Sequence, residues 1–97
     1  MTQPTNSTNL QDILAARGAN YGTFKRHATI SQHLKDVIDS YSVDKTMPYD
    51  ADQKEAIDMI CHKLARIING NADYADSWVD IAGYATLVAD RLCGKVQ

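Results

Sequence analysis

The stretch Asp50–Gly94, DADQKEAIDMICHKLARIINGNADYADSWVDIAGYATLVADRLCG, decides the fold. Ala56, Ile57, Ile60, Leu64, Ile67 and Ile68 recur at the three- and four-residue steps of one helix face, and Asp50 with Gln53 makes a capping pair at its start. Asn69-Gly70-Asn71 stops that helix, and Asp73 can cap another. In the latter, Trp78, Ile81, Ala82, Ala85, Val88, Ala89 and Leu92 form one apolar face before Gly94. So short a connection predicts an antiparallel hairpin in which facing residues have numbers adding to about 143. That register sets Lys63 opposite Asp80, Arg66 opposite Ser77 and near Asp76, Cys61 opposite Ala82 and Cys93 opposite Asp50. The two cysteines are then roughly 16 Å apart along the hairpin, at ~1.5 Å per residue, so both are expected as free thiols. Gly83 costs about 1 kcal/mol in mid-helix and predicts close packing of another helix against it.

Upstream of the hairpin the same period continues. Thr23 can cap a helix carrying Phe24, Ala28, Ile30, Leu34, Val37, Ile38 and Tyr41, with a loop over Ser42–Asp50 marked by Pro48. Before it, Thr8 and Gln11 form a capping-box pattern for a short helix with Leu10, Ile13 and Leu14, which Gly18 is placed to end. Residues 1–8 are polar and are expected to be a disordered lead-in, leaving 9–94 as a single helical domain. The class is all-α: a short N-terminal helix, a second helix and a C-terminal antiparallel hairpin, assembling into an oligomeric helical bundle. No apolar run approaches the ~20 residues of a membrane span and no secretory signal is encoded, so a cytoplasmic protein is expected.

Charge is unevenly placed. The net charge is −2, yet Arg17, Lys25, Arg26 and Lys35 share a stretch without a carboxylate, while the remaining six bases face all twelve acids. The basic stretch includes Arg17-Gly18-Ala19-Asn20-Tyr21-Gly22-Thr23-Phe24-Lys25-Arg26-His27, in which two glycines flank an aromatic just before a helix N-terminus, where free N–H groups favour an anion. Arg17, Lys25 and Arg26 supply cations, Thr23 a hydroxyl and Tyr21 a ring for stacking, which are the parts of a phosphate-and-base site. A solvated connector with Tyr21 and Phe24 tucked into the core uses the same residues, and His27 and His33 are most simply helix-face residues. The acidic body gives no strong nucleic-acid signal.

The hairpin holds a second polar group: Asp58, His62 and Arg66 at fourfold spacing, with Asp76 and Asp80 across from them. These form either an internal network that fixes the register or a carboxylate cluster for Mg²⁺. Tyr74 and Trp78, one turn apart, suit either a core or a protein contact.

The runs Ala16-Arg17-Gly18-Ala19-Asn20-Tyr21-Gly22-Thr23-Phe24-Lys25-Arg26-His27, His62-Lys63-Leu64-Ala65-Arg66 and Tyr74-Ala75-Asp76-Ser77-Trp78-Val79-Asp80-Ile81-Ala82-Gly83-Tyr84 resemble a family of small phage and prophage proteins without an assigned activity, over about Ile13 to Leu92. The last run is similar, more distantly, to phage nucleotide-modification-associated proteins and MazG-type all-α NTP pyrophosphatases. That likeness matches Asp76 and Asp80 to the acidic positions of the later helix, and Glu55 and Asp58 to the earlier. Glu55 is the only Glu, and Lys54 stands where the double-Glu motif of MazG-type enzymes has an acid.

Together these features predict a phage protein, in the cytoplasm of an infected or lysogenic bacterial host, that sequesters a nucleotide or cyclic nucleotide without turnover, as an anti-defence sponge. Its ligand residues would be Arg17, Tyr21, Thr23, Lys25, Arg26, His62, Arg66 and Trp78, with no cofactor and no metal. The site is expected between subunits of a homo-oligomer, because a chain this small has little room for an enclosed pocket. One alternative is a Mg²⁺-dependent, MazG-like pyrophosphatase with Glu55, Asp58, Asp76 and Asp80 as catalytic residues and Asp58, Asp76 and Asp80 at the metal. The other is a helical adaptor that binds a host protein through Tyr74 and Trp78.

Overall fold

A computed structural model describes residues 5–44 and 48–95 as four helices with no strand among them. They are α1 (Thr5–Tyr21), α2 (Phe24–Ser42), α3 (Ala51–Asn69) and α4 (Ala75–Leu92). The all-α class is as the periodicity predicts, and the boundaries differ where local chemistry overrides it. α1 starts at Thr5 and has Thr8 inside it; of the lead-in, residues 1–4 lie outside the described residues and 5–8 are helical. Gly18 does not end α1. Gly22 does, because it adopts φ +77°, and its N–H donates to Gly18 O at 3.0 Å.

Thr23 is the N-cap residue of α2, but its side chain makes no capping hydrogen bond. At α3 the expected pair forms: Gln53 Oε1 accepts from the Asp50 backbone N–H at 2.8 Å. α4 begins one residue later than an Asp73 cap would set it, with Tyr74 at the N-cap position, because the Asp73 N–H is held by Asn71 Oδ1 at 3.0 Å in a turn.

α3 is the central element. α2 and α4 each pack along it, α1 rests on α2 and α3, and among the described residues α2 and α4 do not pack on each other. The hairpin register is as expected: Lys63 Nζ meets Asp80 Oδ2 at 2.9 Å, and Arg91 joins Asp52 through Nε at 2.7 Å, both pairs adding to 143. Arg91 also reaches Asp50 Oδ2 at 3.0 Å. On the other flank of α3, Lys54 bridges Asp58 at 2.6 Å and Asp39 of α2 at 3.2 Å. Cys61 is buried and Cys93 exposed, both as free thiols.

The face of α4 turned to α3 shares only Ile81 and Val88 with the one the pattern selects. Ser77 is buried and Ile81, Tyr84 and Val88 are half-buried, whereas Trp78, Ala82, Ala85, Ala89 and Leu92 face outward. α4 is apolar around most of its circumference, so apolar spacing alone does not choose a side; the Lys63–Asp80 and Arg91–Asp52 pairs do. Gly83 has nothing within 4 Å of where a Cβ would stand, so the helix packing expected there does not occur within the chain. The core is thin: among the described residues Ala56, Cys61 and Ala65 are the buried apolar ones, and no large side chain is fully enclosed. The radius of gyration, 17.0 Å, exceeds the ~13 Å of a compact chain of this length.

Candidate functional site

Two connections meet at one end of α3. Asn69 Nδ2 donates to Tyr21 O at 2.7 Å and Thr23 O at 2.9 Å, and the Asn71 N–H donates to Asn20 O at 2.6 Å. The α1–α2 turn is thereby laced to the α3–α4 turn. The approach is close enough to demand glycine on both sides: a Cβ on Gly22 would strike the Asn69 backbone, and one on Gly70 would strike Asn20 O and Tyr21 Cα. Asn69-Gly70-Asn71, which the sequence marks only as a helix stop, is the clamp that positions the basic segment.

The clamp shapes a cavity of about 370 Å³ between α1, α2 and α3, lined by Leu14, Arg17, Gly18, Tyr21, Gly22, Thr23, Phe24, His27, His62 and Arg66. Of the residues expected to bind ligand, Arg17, Tyr21, Thr23, His62 and Arg66 are brought together here. Lys25 and Arg26 are not among the lining residues. Thr23, Phe24 and His27 share one side of the first turn of α2, and the two residues between point about 100–200° round the helix. Trp78 lies on α4, away from the cavity, with Nε1 donating to Ala72 O at 2.8 Å. The cavity is built within one chain, whereas the sequence predicts a site between subunits.

The lining includes no carboxylate. Arg66 lies over the Tyr21 ring, Cζ 4.2 Å from its centroid, and Tyr21 meets Tyr74 edge to face at 5.8 Å. Among the described residues neither Arg17 nor Arg66 has an ion-pair partner, while Lys63 and Lys95 each have one and Lys54 and Arg91 each have two. The N-terminus of α2 opens on the same space, and with Thr23 making no side-chain cap its first N–H groups are available to an anion.

His27 is the residue the sequence did not single out. It is 4% exposed; its Nε2 stands 3.3 Å from His62 Nδ1, and its own Nδ1 is buried without a partner. Burial, then Arg66, lowers the His27 pKa from 6.5. Burial, then His27 and Arg66, brings His62 to about 4. Both rings are neutral at neutral pH, so one donates to the other and the outer nitrogens can present a donor or an acceptor. The signal available was the fourfold run Asp58, His62, Arg66, whose middle member needs a neighbour; nothing local points to a residue 35 positions earlier.

The carboxylates of the pyrophosphatase reading are dispersed. Asp58 is bound to Lys54, Asp80 to Lys63, and Asp76 accepts from the Tyr74 hydroxyl, raising that hydroxyl's pKa. Glu55 lines a separate groove of about 440 Å³ with Asp52, Tyr84 and Arg91. Among the described residues no three His, Cys, Asp or Glu side chains are grouped to hold a metal ion. No described helix is long and apolar enough to cross a membrane.

Comparison with known proteins finds no curated protein and no solved structure that matches significantly. A family whose description is "domain of unknown function (DUF6378)" matches residues 7–92. With nearly the whole described chain inside that match, including both clamped turns and every residue of the cavity, the protein belongs to the DUF6378 family.

Proposed function

We propose that this protein binds a nucleotide-type anion in the α1–α2–α3 cavity and holds it without turnover. The observation that carries the reading is the convergence of two unpaired guanidiniums, Arg17 and Arg66, with the uncapped start of α2 in a space lined by no carboxylate. A phosphate fits the arginines and the helix N-terminus, and Tyr21 and Phe24 offer ring faces to a base. Phe24 stands 76% exposed at the rim of the cavity. A cavity of about 370 Å³ falls in the range of small-molecule sites, about 300–1,000 Å³. Two neutral histidines supply directed hydrogen bonds beside the cations. For a small phage-encoded protein, as the sequence resemblance has it, such a site suits capture of a signalling nucleotide made by a bacterial defence system.

The test is to incubate the purified protein with a pool of linear and cyclic nucleotides and Mg²⁺, remove free compounds, denature the protein and identify what is released. An intact nucleotide at stoichiometric yield is the expected result. Arg17→Ala and Arg66→Ala should each weaken its binding by about tenfold or more, as expected for a lost charge-assisted contact. Lys25→Ala and Arg26→Ala, outside the lining, should change it only about twofold. Recovery of nothing, or of monophosphate and pyrophosphate, overturns the proposal.

A further inference from the structure

The outward face of α4 carries a regular pattern. Ala75, Ala82 and Ala89 recur every seven residues; Trp78, Ala85 and Leu92 follow each by three, and Val79, Thr86 and Cys93 by four. All nine positions are exposed, Trp78 by 52%, Val79 by 65% and Leu92 by 59%, and none is charged. A helix face turned to water carries charges, whereas an uncharged face with a seven-residue repeat is the seam of a helix pair. Alanine at each first position allows two helix axes to approach closely.

The surface area points the same way. The chain exposes 7076 Å², where a folded monomer of 10.7 kDa exposes about 5,500 Å², and the bare apolar side chains of α4 share that excess with Leu10, Ile13 and Leu14 of α1 and Val37 and Tyr41 of α2. A standard interface covers about 800 Å² on each partner, so one further contact of ordinary size fits within the excess. A permanently apolar face needs a partner present at equal concentration whenever the chain is made, and a second copy meets that condition.

We infer that the protein is a homodimer in which α4 packs antiparallel on the α4 of a second copy, about a two-fold axis at Ala82. The arrangement does not depend on the ligand proposed above, and it gives the self-association expected from the sequence a definite face. With the axis there, Ala75 meets the partner's Ala89, and Trp78 lies over the partner's Ala85 and Thr86, so the bulkiest side chain of the seam faces small ones. A parallel pair would instead set Trp78 against its own copy and align the two helix dipoles. The two hairpins then form a row of four helices with both α4 helices inside and both cavities outside.

Sedimentation velocity at micromolar concentration tests this. The expected mass is about twice 10.7 kDa, falling to 10.7 kDa in Ala82→Arg with its helical circular dichroism unchanged. A monomeric wild type, or a folded Ala82→Arg protein that stays dimeric, overturns the inference. Ala82→Cys provides a second reading if the arginine variant does not fold. Under mild oxidation it should cross-link through position 82 within minutes, and an absence of that cross-link overturns the inference. Equally fast cross-linking of the wild type through Cys93 overturns the antiparallel arrangement, which sets the two Cys93 residues at opposite ends.

Discussion

At the scale of single residues, the His27–His62 pair couples folding to pH. Burial is the main cause that keeps both rings neutral, and Arg66, Lys35 and Lys63 act on both in the same direction. An imidazole in the unfolded chain titrates near 6.5, and His62 in the fold near 4. Between those values the unfolded chain holds more protons, so stability is complete above the upper value and is lost as the pH falls toward the lower. Because His62 is only half-buried, solvent screening leaves a contribution on the order of 1 kcal/mol, or about 4–8 °C in Tm. Thermal melts between pH 7.5 and 4 should therefore fall more steeply for the wild type than for His62→Gln, which has no proton to take up; parallel curves would show that the ring does not titrate between the two states. The pair itself was not legible in the sequence. His62 stood out through its spacing to Asp58 and Arg66, but His27 has only a distant partner, and helical periodicity carries no information about contacts 35 residues apart.

At the scale of elements, the glycines sort by what surrounds them. Gly70 lies where two turns cross and has no room for a Cβ; Gly83 lies in mid-helix with open space beside it. Gly70→Ala should destabilise the protein by about 1–3 kcal/mol and open the cavity, since the strain falls on Asn20 and Tyr21. Gly83→Ala should stabilise it by about 0.5–1 kcal/mol by restricting the unfolded chain. Urea denaturation reads both, and equal effects of one sign would contradict the clamp. Sequence spacing gave the presence and order of the helices, and the short turn gave the register that Lys63–Asp80 and Arg91–Asp52 bear out. It misplaced the end of α1, because Gly18 and Gly22 carry the same helix-ending signal and only tertiary contact with Asn69 separates them.

At the scale of the whole molecule, the fold is a row: α2 on one side of α3, α4 on the other, α1 laid across one end. The all-α class was legible because every apolar run has a helical period. The face of α4 was not, since a helix apolar nearly all round offers no contrast to read; buried Ser77 and exposed Ala82 are the opposite of what hydrophobicity alone would choose. Of the candidate site, the anion-binding parts around Arg17–Thr23 and Arg66 were legible as chemistry, while their meeting in one cavity depends on the Asn69-Gly70-Asn71 clamp. Trp78, the only tryptophan, sits on the proposed seam and outside the cavity. Nature has thus placed a fluorophore where it reports one event and is blind to the other. On dilution through the dimer dissociation range its emission should shift to longer wavelength as water reaches the indole, whereas saturation of the cavity should quench tyrosine emission and leave the indole band in place. The two equilibria, assembly and ligand capture, are separable by colour in the unlabelled protein.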